Sequence, residues 1–226
     1  SIGEVTHNED YEDVAGPGST SGPTSSGPDG LLTSLPTIGF TYASCSAGLT
    51  FAPISSNGGT RLDISSIDDG TEVLSLGFDF KWLGGNTPVS QVRVSTNGQI
   101  LIDQNNADGG YSVEAIGNYG KPRIAVAQSD LNPSRGGDIF VRRGVRLDSI
   151  MVSWEDVKFF PASGNVNAQA ELFANGAVNI CFGEGNNEGR GGFVAGIEGG
   201  GVNDPYWTGN AVVAYPLPDD DYFNDQ

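Results

Sequence analysis

Apolar and polar residues alternate along two neighbouring stretches between Val73 and Ile102. In the first stretch every second residue is apolar, namely Leu74, Leu76, Phe78, Phe80 and Trp82. The second stretch repeats the pattern with Val92, Val94, Ile100 and Ile102. A period of two is typical of β-strands with one buried and one solvent-facing side. Asn97-Gly98 divides the second stretch and predicts a hairpin with a type I′ turn, in which both central residues have positive φ.

The same alternation recurs in the second half of the chain. It predicts strands over 150–154, 168–172 and 178–182, with Asn175-Gly176 as the turn between the last two. Shorter apolar runs at 40–51, 124–127, 139–141, 193–197 and 210–215 predict further short strands, and no stretch is typical of an α-helix of ordinary length. Trp82 and Trp154 occupy apolar positions of the pattern and are expected in the core. Short strands punctuated by 34 glycines predict an all-β fold, a two-sheet antiparallel β-sandwich or jelly roll.

The front of the chain differs from the rest. Residues 1–14 are acidic without a single Lys or Arg, and residues 16–30 are almost entirely Gly, Pro, Ser and Thr. A segment of this composition cannot bury a core of its own. We therefore expect an extended N-terminal tail over residues 1–30, a single β-sandwich domain over 31–218 and an acidic C-terminal end over 219–226.

A tail that cannot fold alone becomes ordered only against another surface. We expect it to dock on a neighbouring copy by donating a strand to a sheet edge, which satisfies exposed backbone groups and fills a groove together. Folding back onto its own domain is the alternative. The apolar residues that it could insert are Ile2, Val5, Tyr11 and Val14.

The net charge of the whole chain is −17, from 28 acidic and 11 basic residues. Such a polyanion repels nucleic acid and anionic lipid, so neither is expected as a partner. An acidic surface serves solubility and can also collect divalent cations. No apolar run is long enough to span a bilayer, so membrane insertion is not expected. The expected partners are other copies of the chain and, for a binding module, glycans.

The two cysteines, Cys45 and Cys181, lie far apart in a spacing that fits neither a metal motif nor a redox pair. They predict a disulfide, with two inert buried thiols as the alternative, and a disulfide persists only in an oxidising compartment. Because the chain starts at Ser1 without an initiator Met, we expect a processed protein located outside the cell or at its surface. Hydroxyl groups beside the prolines of the tail are candidate O-glycosylation sites: Ser19, Thr20, Ser21, Thr24, Ser25 and Ser26.

The sequence offers few combinations of residues that could form a catalytic site. His7 is the sole histidine and lies in the tail, which excludes Ser-His-Asp and Cys-His relays unless a partner supplies the imidazole. Glu155 and Asp156 are adjacent on a predicted strand and would point to opposite faces, so they cannot act as one carboxylate pair. We therefore expect no enzymatic activity.

We expect no resident cofactor, with calcium as the alternative. Asp103, Asn105 and Glu114 have the spacing of positions one, three and twelve of an EF-hand loop, but Ala107 and Asp108 break the pattern. The competing interpretation is ordinary turn capping by Asp and Asn side chains. Further acidic residues in predicted loops are Asp68, Asp69, Asp130 and Asp138.

Five segments together resemble the nidogen-like (NIDO-type) β-sandwich modules of extracellular and cell-surface proteins, including bacterial secreted ones. They are LGFDFKWLGG (76–85), VRVSTNGQILI (92–102), RIAVAQSDLNPSRGGDIFVR (123–142), IMVSWEDVKFF (150–160) and AQAELFANGAVNICFGEG (168–185). One departure is Gln128, where the family often has a Trp before the Asp-Leu pair. The resemblance implies adhesion or matrix assembly rather than catalysis, and it names no ligand.

These observations lead to two functional hypotheses. The first is a non-enzymatic structural subunit of an extracellular fibre or matrix, assembled by docking the tail onto a neighbouring copy. The alternative is a monomeric adhesion module that binds carbohydrate or a cell surface and is stabilised by calcium.

Overall fold

The computed structural model describes residues 51–82, 87–107, 109–112, 120–144, 148–161, 163–183 and 193–199, and the backbone of 212–214. These residues form eleven strands: β1 Thr60–Arg61, β2 Thr71–Phe80, β3 Val89–Ser95, β4 Gln99–Leu101, β5 Pro122–Gln128, β6 Asp138–Arg143, β7 Ser149–Lys158, β8 Asn165–Phe173, β9 Val178–Phe182, β10 Val194–Gly199 and β11 Val212–Ala214. Two short 3-10 helices lie at Asp63–Ser66 and Pro133–Arg135. No α-helix occurs in the described part of the chain.

The strands form two antiparallel sheets. One has five strands in the order β1-β6-β7-β8-β9, and the other has six in the order β11-β10-β5-β4-β3-β2. The first 3-10 helix contacts both β2 and β6. At the opposite lateral edge, the ring of Phe182 in β9 lies 5.2 Å from that of Phe193, just before β10. The two-sheet β-sandwich predicted from the alternating pattern is confirmed.

The core lies between the sheets and is built from the alternating apolar positions. Val92, Val94 and Ile100 of the six-stranded sheet are fully buried, as are Val152 and Trp154 of the five-stranded sheet. The Trp154 indole N–H donates a hydrogen bond of 3.1 Å to the backbone carbonyl of Ser95, which joins the two sheets. Trp82 and Trp154 both belong to this core, as the pattern predicts.

The turn between β3 and β4 differs from the prediction. Gly98 has φ +73°, but Asn97 is not among the described non-glycine residues with positive φ, so the type I′ turn is wrong. Ser95 pairs with Gln99, which leaves a loop of three residues between the strands. The physical reason is tertiary: the fully buried Asn97 side chain donates to Asp69 at 2.8 Å and accepts the N–H of Leu131 at 2.7 Å.

The described chain begins with a segment that crosses the outer face of the five-stranded sheet. Phe51 packs beside Gly183 next to β9, and the Ala52 carbonyl accepts a hydrogen bond of 3.3 Å from Gln169 of β8. The Ile54 N–H then donates to Glu155 of β7 at 2.6 Å. The segment thus runs from β9 to β6, where β1 joins the sheet.

Cys181 lies on this outer face, because it pairs with Gln169 and alternates with the core-facing Ile180 and Phe182. It is buried. Cys45 lies outside the described residues, so the disulfide stays a prediction. The same applies to the inserted residues of the tail, the candidate O-glycan acceptors and Glu114. Over the described residues, no helix is both long and apolar enough to cross a bilayer.

Candidate functional site

Four loops meet at one end of the sandwich. The Thr96 N–H after β3 donates to the Gly70 carbonyl before β2 at 2.9 Å. The Phe160 N–H after β7 donates at 2.8 Å to the carbonyl of Asp130, the residue two positions beyond β5. Asn97 links the turn after β3 to the loop after β5 through its bond from Leu131. Two backbone bonds and the side chain of Asn97 therefore hold the ends of four strands together.

This end carries a cluster of three carboxylates, Asp68, Asp69 and Asp130. One oxygen from each lies within 4.8 Å of the others; Asp68 and Asp69 are exposed, and Asp130 is half-buried. Asp69 has φ +48°, in the left-handed region that Asp and Asn tolerate better than most residues. The side-chain amide of Asn97 donates a hydrogen bond to the Asp69 carboxylate and fixes its position. Backbone conformation and a buried amide thus place Asp69 beside Asp130.

The crowding of negative charge changes proton binding at two of the three residues. Desolvation raises the pKa of Asp130 above its usual value, and the charges of Asp69 and Asp68 raise it further. Desolvation, followed by the charge of Asp69, also raises the pKa of Asp68, while a backbone hydrogen bond and Arg135 act in the opposite direction. The cluster therefore favours any ligand that brings positive charge.

Exposed apolar side chains flank the carboxylates. Ile67 precedes Asp68 in the chain and is 48 % exposed, and Phe160, bonded through its backbone to Asp130, is 45 % exposed. The Arg135 guanidinium lies 5.7 Å from the centre of the Phe160 ring. Chemically, the three carboxylates offer the oxygen ligands that calcium prefers, and the surface could also contact a ligand with cationic and apolar parts.

A second candidate site is the lateral edge of the six-stranded sheet. The sheet ends at β2, and no strand of the described chain pairs with β2 on the side away from β3. Because Thr96 donates its N–H to the Gly70 carbonyl, these two residues form a hydrogen-bonded pair of the antiparallel ladder. Hydrogen-bonded pairs recur at every second residue, so Glu72 and Leu74 also direct their N–H and C=O groups towards β3. The residues that direct theirs to the open edge are Thr71, Val73 and Ser75.

The acidic residues named from the sequence have different fates. Asp68, Asp69 and Asp130 come together, whereas Asp138 starts β6 and forms an exposed ion pair with Arg61 at 2.6 Å. Asp103 accepts the N–H of Asn105 at 2.9 Å within its own turn, as in ordinary turn capping. Because Glu114 is not described, the calcium prediction for that loop stays open.

Two buried carboxylates outside this cluster, Glu155 and Glu198, have structural roles. Glu155 is buried and accepts the N–H groups of Ile54 and Ser55 and the hydroxyl of Ser153. Glu198 is buried in an ion pair of 3.2 Å with Arg123.

Sequence reasoning missed Asn97 and Arg143. Asn97 was assigned to the turn alone. Arg143 stands at a core-facing alternation position after Ile139 and Val141, and a charge at such a position is a signal that could have been used.

Comparison with known proteins places this architecture in a family. The family model described as NIDO related matches residues 7–217, which is most of the chain. No curated protein and no solved structure gives a significant match. The matched range includes all eleven strands of the sandwich, and the segments that resemble nidogen-like modules lie within it. The chain therefore belongs to the NIDO-related family.

Proposed function

We propose that the chain is a non-enzymatic extracellular structural protein, one subunit of a surface fibre or matrix. In this proposal the N-terminal tail of one copy docks as a strand on the β2 edge of the next. Membership in the NIDO-related family supports the extracellular setting. The observation that carries the assembly step is the edge of β2, because no strand among the described residues pairs with it on the side away from β3.

The exposed backbone of β2 suits strand addition. An unpaired edge presents N–H and C=O groups that an extended segment can satisfy, and pockets for alternate side chains then provide specificity. Val73 directs both of its backbone groups to this edge, and its side chain is 41 % exposed. Leu74 and Phe78 pack only partly against the core, so added apolar side chains could cover them.

Docking between copies would connect the two lateral edges of the sandwich. The described chain begins at Phe51 beside β9, whereas β2 forms the opposite lateral edge of the sandwich. A connection from one edge of a copy to the other edge of the next is heterologous, and such contacts build open filaments unless the rotation closes a ring. Fifty residues precede Phe51. Because an extended chain spans up to about 3.3–3.6 Å per residue, the length of this segment does not limit which sheet edge the tail can reach.

Removing the donor segment tests the proposal. Deletion of residues 1–15 should convert an assembling protein into monomers, because the apolar residues available for insertion, Ile2, Val5, Tyr11 and Val14, would be lost. Sedimentation velocity measures the size distribution directly. Assemblies of unchanged size after the deletion would contradict strand donation by the tail.

A second candidate function is a monomeric adhesion module that binds carbohydrate or a cell surface, stabilised by calcium. The loop end favours it, because it combines Asp68, Asp69 and Asp130 with the exposed ring of Phe160. Thermal melting with calcium and with a chelator tests the cation: the melting temperature should rise with calcium in the wild type and stay constant in Asp130→Asn. Binding to a glycan array by a protein that remains monomeric would favour this function over assembly.

A further inference from the structure

Arg143 bridges the two sheets at the open edge of β2. It ends β6 in the five-stranded sheet, and its guanidinium donates hydrogen bonds to the carbonyls of Leu76 and Ser75 in β2, the second at 3.4 Å. The side chain of Arg143 is exposed to solvent. Its neighbour Arg142 points elsewhere and donates to the Asn57 carbonyl at 2.9 Å.

The backbone of β2 is shaped to receive this guanidinium. The pairing of β2 with β3 shifts between Ser75 and Phe80, and Gly77 within this irregular stretch has φ +73°. A Cβ atom on Gly77 would overlap the Arg143 guanidinium, so glycine is required for the close approach as well as for the backbone conformation. A bulge of this kind re-aims carbonyl groups away from the regular ladder.

We infer that Arg143 is a cap on the β2 edge that blocks edge-to-edge pairing with the β2 strand of a second copy. Ser75 directs its carbonyl to the open edge, and a strand pairing there would need the acceptor that Arg143 occupies. The cap leaves the outward backbone groups of Thr71 and Val73 for an incoming strand. Antiparallel pairing of two β2 edges would therefore lack the Ser75 acceptor on each copy.

The strand that the cap excludes is β2 of a second copy. β2 is long, and two β2 strands with the same alternating side chains could pair along their edges. It has ten residues with apolar side chains at every second position from Leu74 to Phe80. Long edge strands are managed in natural proteins by charged side chains and bulges, and β2 has both devices at Ser75–Gly77. This inference rests on the open edge used in the proposed function, but not on the tail.

Self-association of full-length variants tests the cap. The background is a full-length chain in which all four apolar residues of the tail are replaced, by Ile2→Asp, Val5→Asp, Tyr11→Asp and Val14→Asp, so that insertion of the tail is disabled without shortening the protein. Adding Arg143→Ala should lower the concentration of half-association by about tenfold, since two carbonyls per edge become available. Arg142→Ala is the matched control and should leave the concentration unchanged. Sedimentation velocity is the measurement, with circular dichroism to establish folding.

Two further variants make the outcome decisive. Val73→Pro added to Arg143→Ala should abolish the association, because proline removes an N–H of the open edge. Arg143→Lys retains the charge but lacks the forked geometry, so it should associate to an intermediate extent. Equal behaviour of the Arg143 and Arg142 variants, or association that Val73→Pro does not suppress, would overturn the cap. Neither result depends on whether the wild-type tail drives assembly.

Discussion

Glu155 is the carboxylate that holds the first described segment against the five-stranded sheet. Its Oε1 accepts hydrogen bonds from the N–H groups of Ile54 and Ser55 and from the Ser153 hydroxyl. Ile54 is fully buried, so its N–H has no access to water when this acceptor is removed. Glu155 thus anchors the crossing segment at Ile54 and Ser55.

Replacing Glu155 should therefore cost stability. We expect Glu155→Ala to reduce the free energy of unfolding by about 2–3 kcal/mol, because a buried donor loses its partner. Glu155→Gln keeps a carbonyl oxygen and should cost less. Urea denaturation of both variants measures the difference. A loss for Glu155→Ala no greater than that for Glu155→Gln would contradict the role of the acceptor.

Desolvation, followed by the charge of Asp69, raises the pKa of both Asp68 and Asp130. A raised pKa means that the folded state binds protons more readily than the unfolded chain. The two carboxyl groups therefore weaken folding above their folded pKa, and this penalty disappears as the pH falls towards the ordinary value of 3.8. The contribution is small because exposed charges are screened.

Neutralising Asp69 should reveal this repulsion. Asp69→Asn keeps a residue that tolerates positive φ and should increase the free energy of unfolding at pH 7 by a few tenths of a kcal/mol. The gain should shrink as the pH of the measurement falls below 3.8, because Asp68 and Asp130 then bind protons in both the folded and the unfolded state. Asp148→Asn, at an exposed position elsewhere, is the control. A gain of the same size at both pH values would point to backbone preference instead of charge.

The hairpin of β3 and β4 depends on the close approach of Gly98 to β5. The Gly98 carbonyl accepts the N–H groups of Val126 and Ala127 at 2.9 and 3.0 Å. A Cβ atom at this position would overlap the Ala127 carbonyl. Glycine is thus needed both for φ +73° and for contact between strand backbones.

A pair of glycine substitutions separates these two requirements. Gly120 has nearly the same φ, +74°, but a Cβ atom there would meet nothing within 4 Å. Gly120→Ala should cost about 1 kcal/mol for the left-handed backbone alone, whereas Gly98→Ala should cost about 2–4 kcal/mol because the overlap adds to it. Chemical denaturation checks both. Equal losses of stability in the two variants would mean that the backbone near Gly98 shifts to accommodate a Cβ atom at little cost.

The phase of the β2 ladder leads to a prediction with proline. Val73 directs its N–H to the open edge, so Val73→Pro removes no sheet bond and should cost about 1 kcal/mol or less. Leu74 directs its N–H to β3, so Leu74→Pro should cost about 3 kcal/mol or more. Thermal melts of the two variants compare the costs. Similar destabilisation by both would mean that the assigned phase is wrong.

At the level of elements, the sequence predicts strands well and turns poorly. Alternation located Val152 and Trp154 correctly, because a sheet buried on one face imposes a period of two on its residues. The turn at Asn97 was mispredicted because local turn preference was overridden by hydrogen bonds to Asp69 and Leu131. Those partners are distant in the chain, so no local pattern contains them.

At the level of the whole molecule, the same limit applies to the candidate site. Asp68 and Asp130 could be recognised as loop acids, but their proximity depends on which strand ends share one end of the sandwich. That follows from the strand order, in which β2 and β5 belong to one sheet with β3 and β4 between them. The open edge of β2 also depends on strand order, and a strand pattern alone does not distinguish an edge strand from a central one.

The whole-molecule proposal requires a donor at one lateral edge of the sandwich and an acceptor at the other. The chain enters beside β9, and β2 lies across the sandwich from it. In this proposal each copy provides one donor, the tail, and one acceptor, the β2 edge. Removing the donor or the acceptor leaves a subunit that can only terminate an assembly.

Mixing two variants, one without a donor and one without an acceptor, tests this arrangement most directly. Deletion of residues 1–15 leaves an acceptor without a donor, and Val73→Pro in the full-length chain leaves a donor without an acceptor. Each variant alone should be monomeric. An equimolar mixture analysed by sedimentation velocity should contain a one-to-one dimer and nothing larger, because each interface needs one intact tail and one intact β2 edge. A mixture that remains monomeric, or assemblies formed by either variant alone, would contradict strand donation to β2.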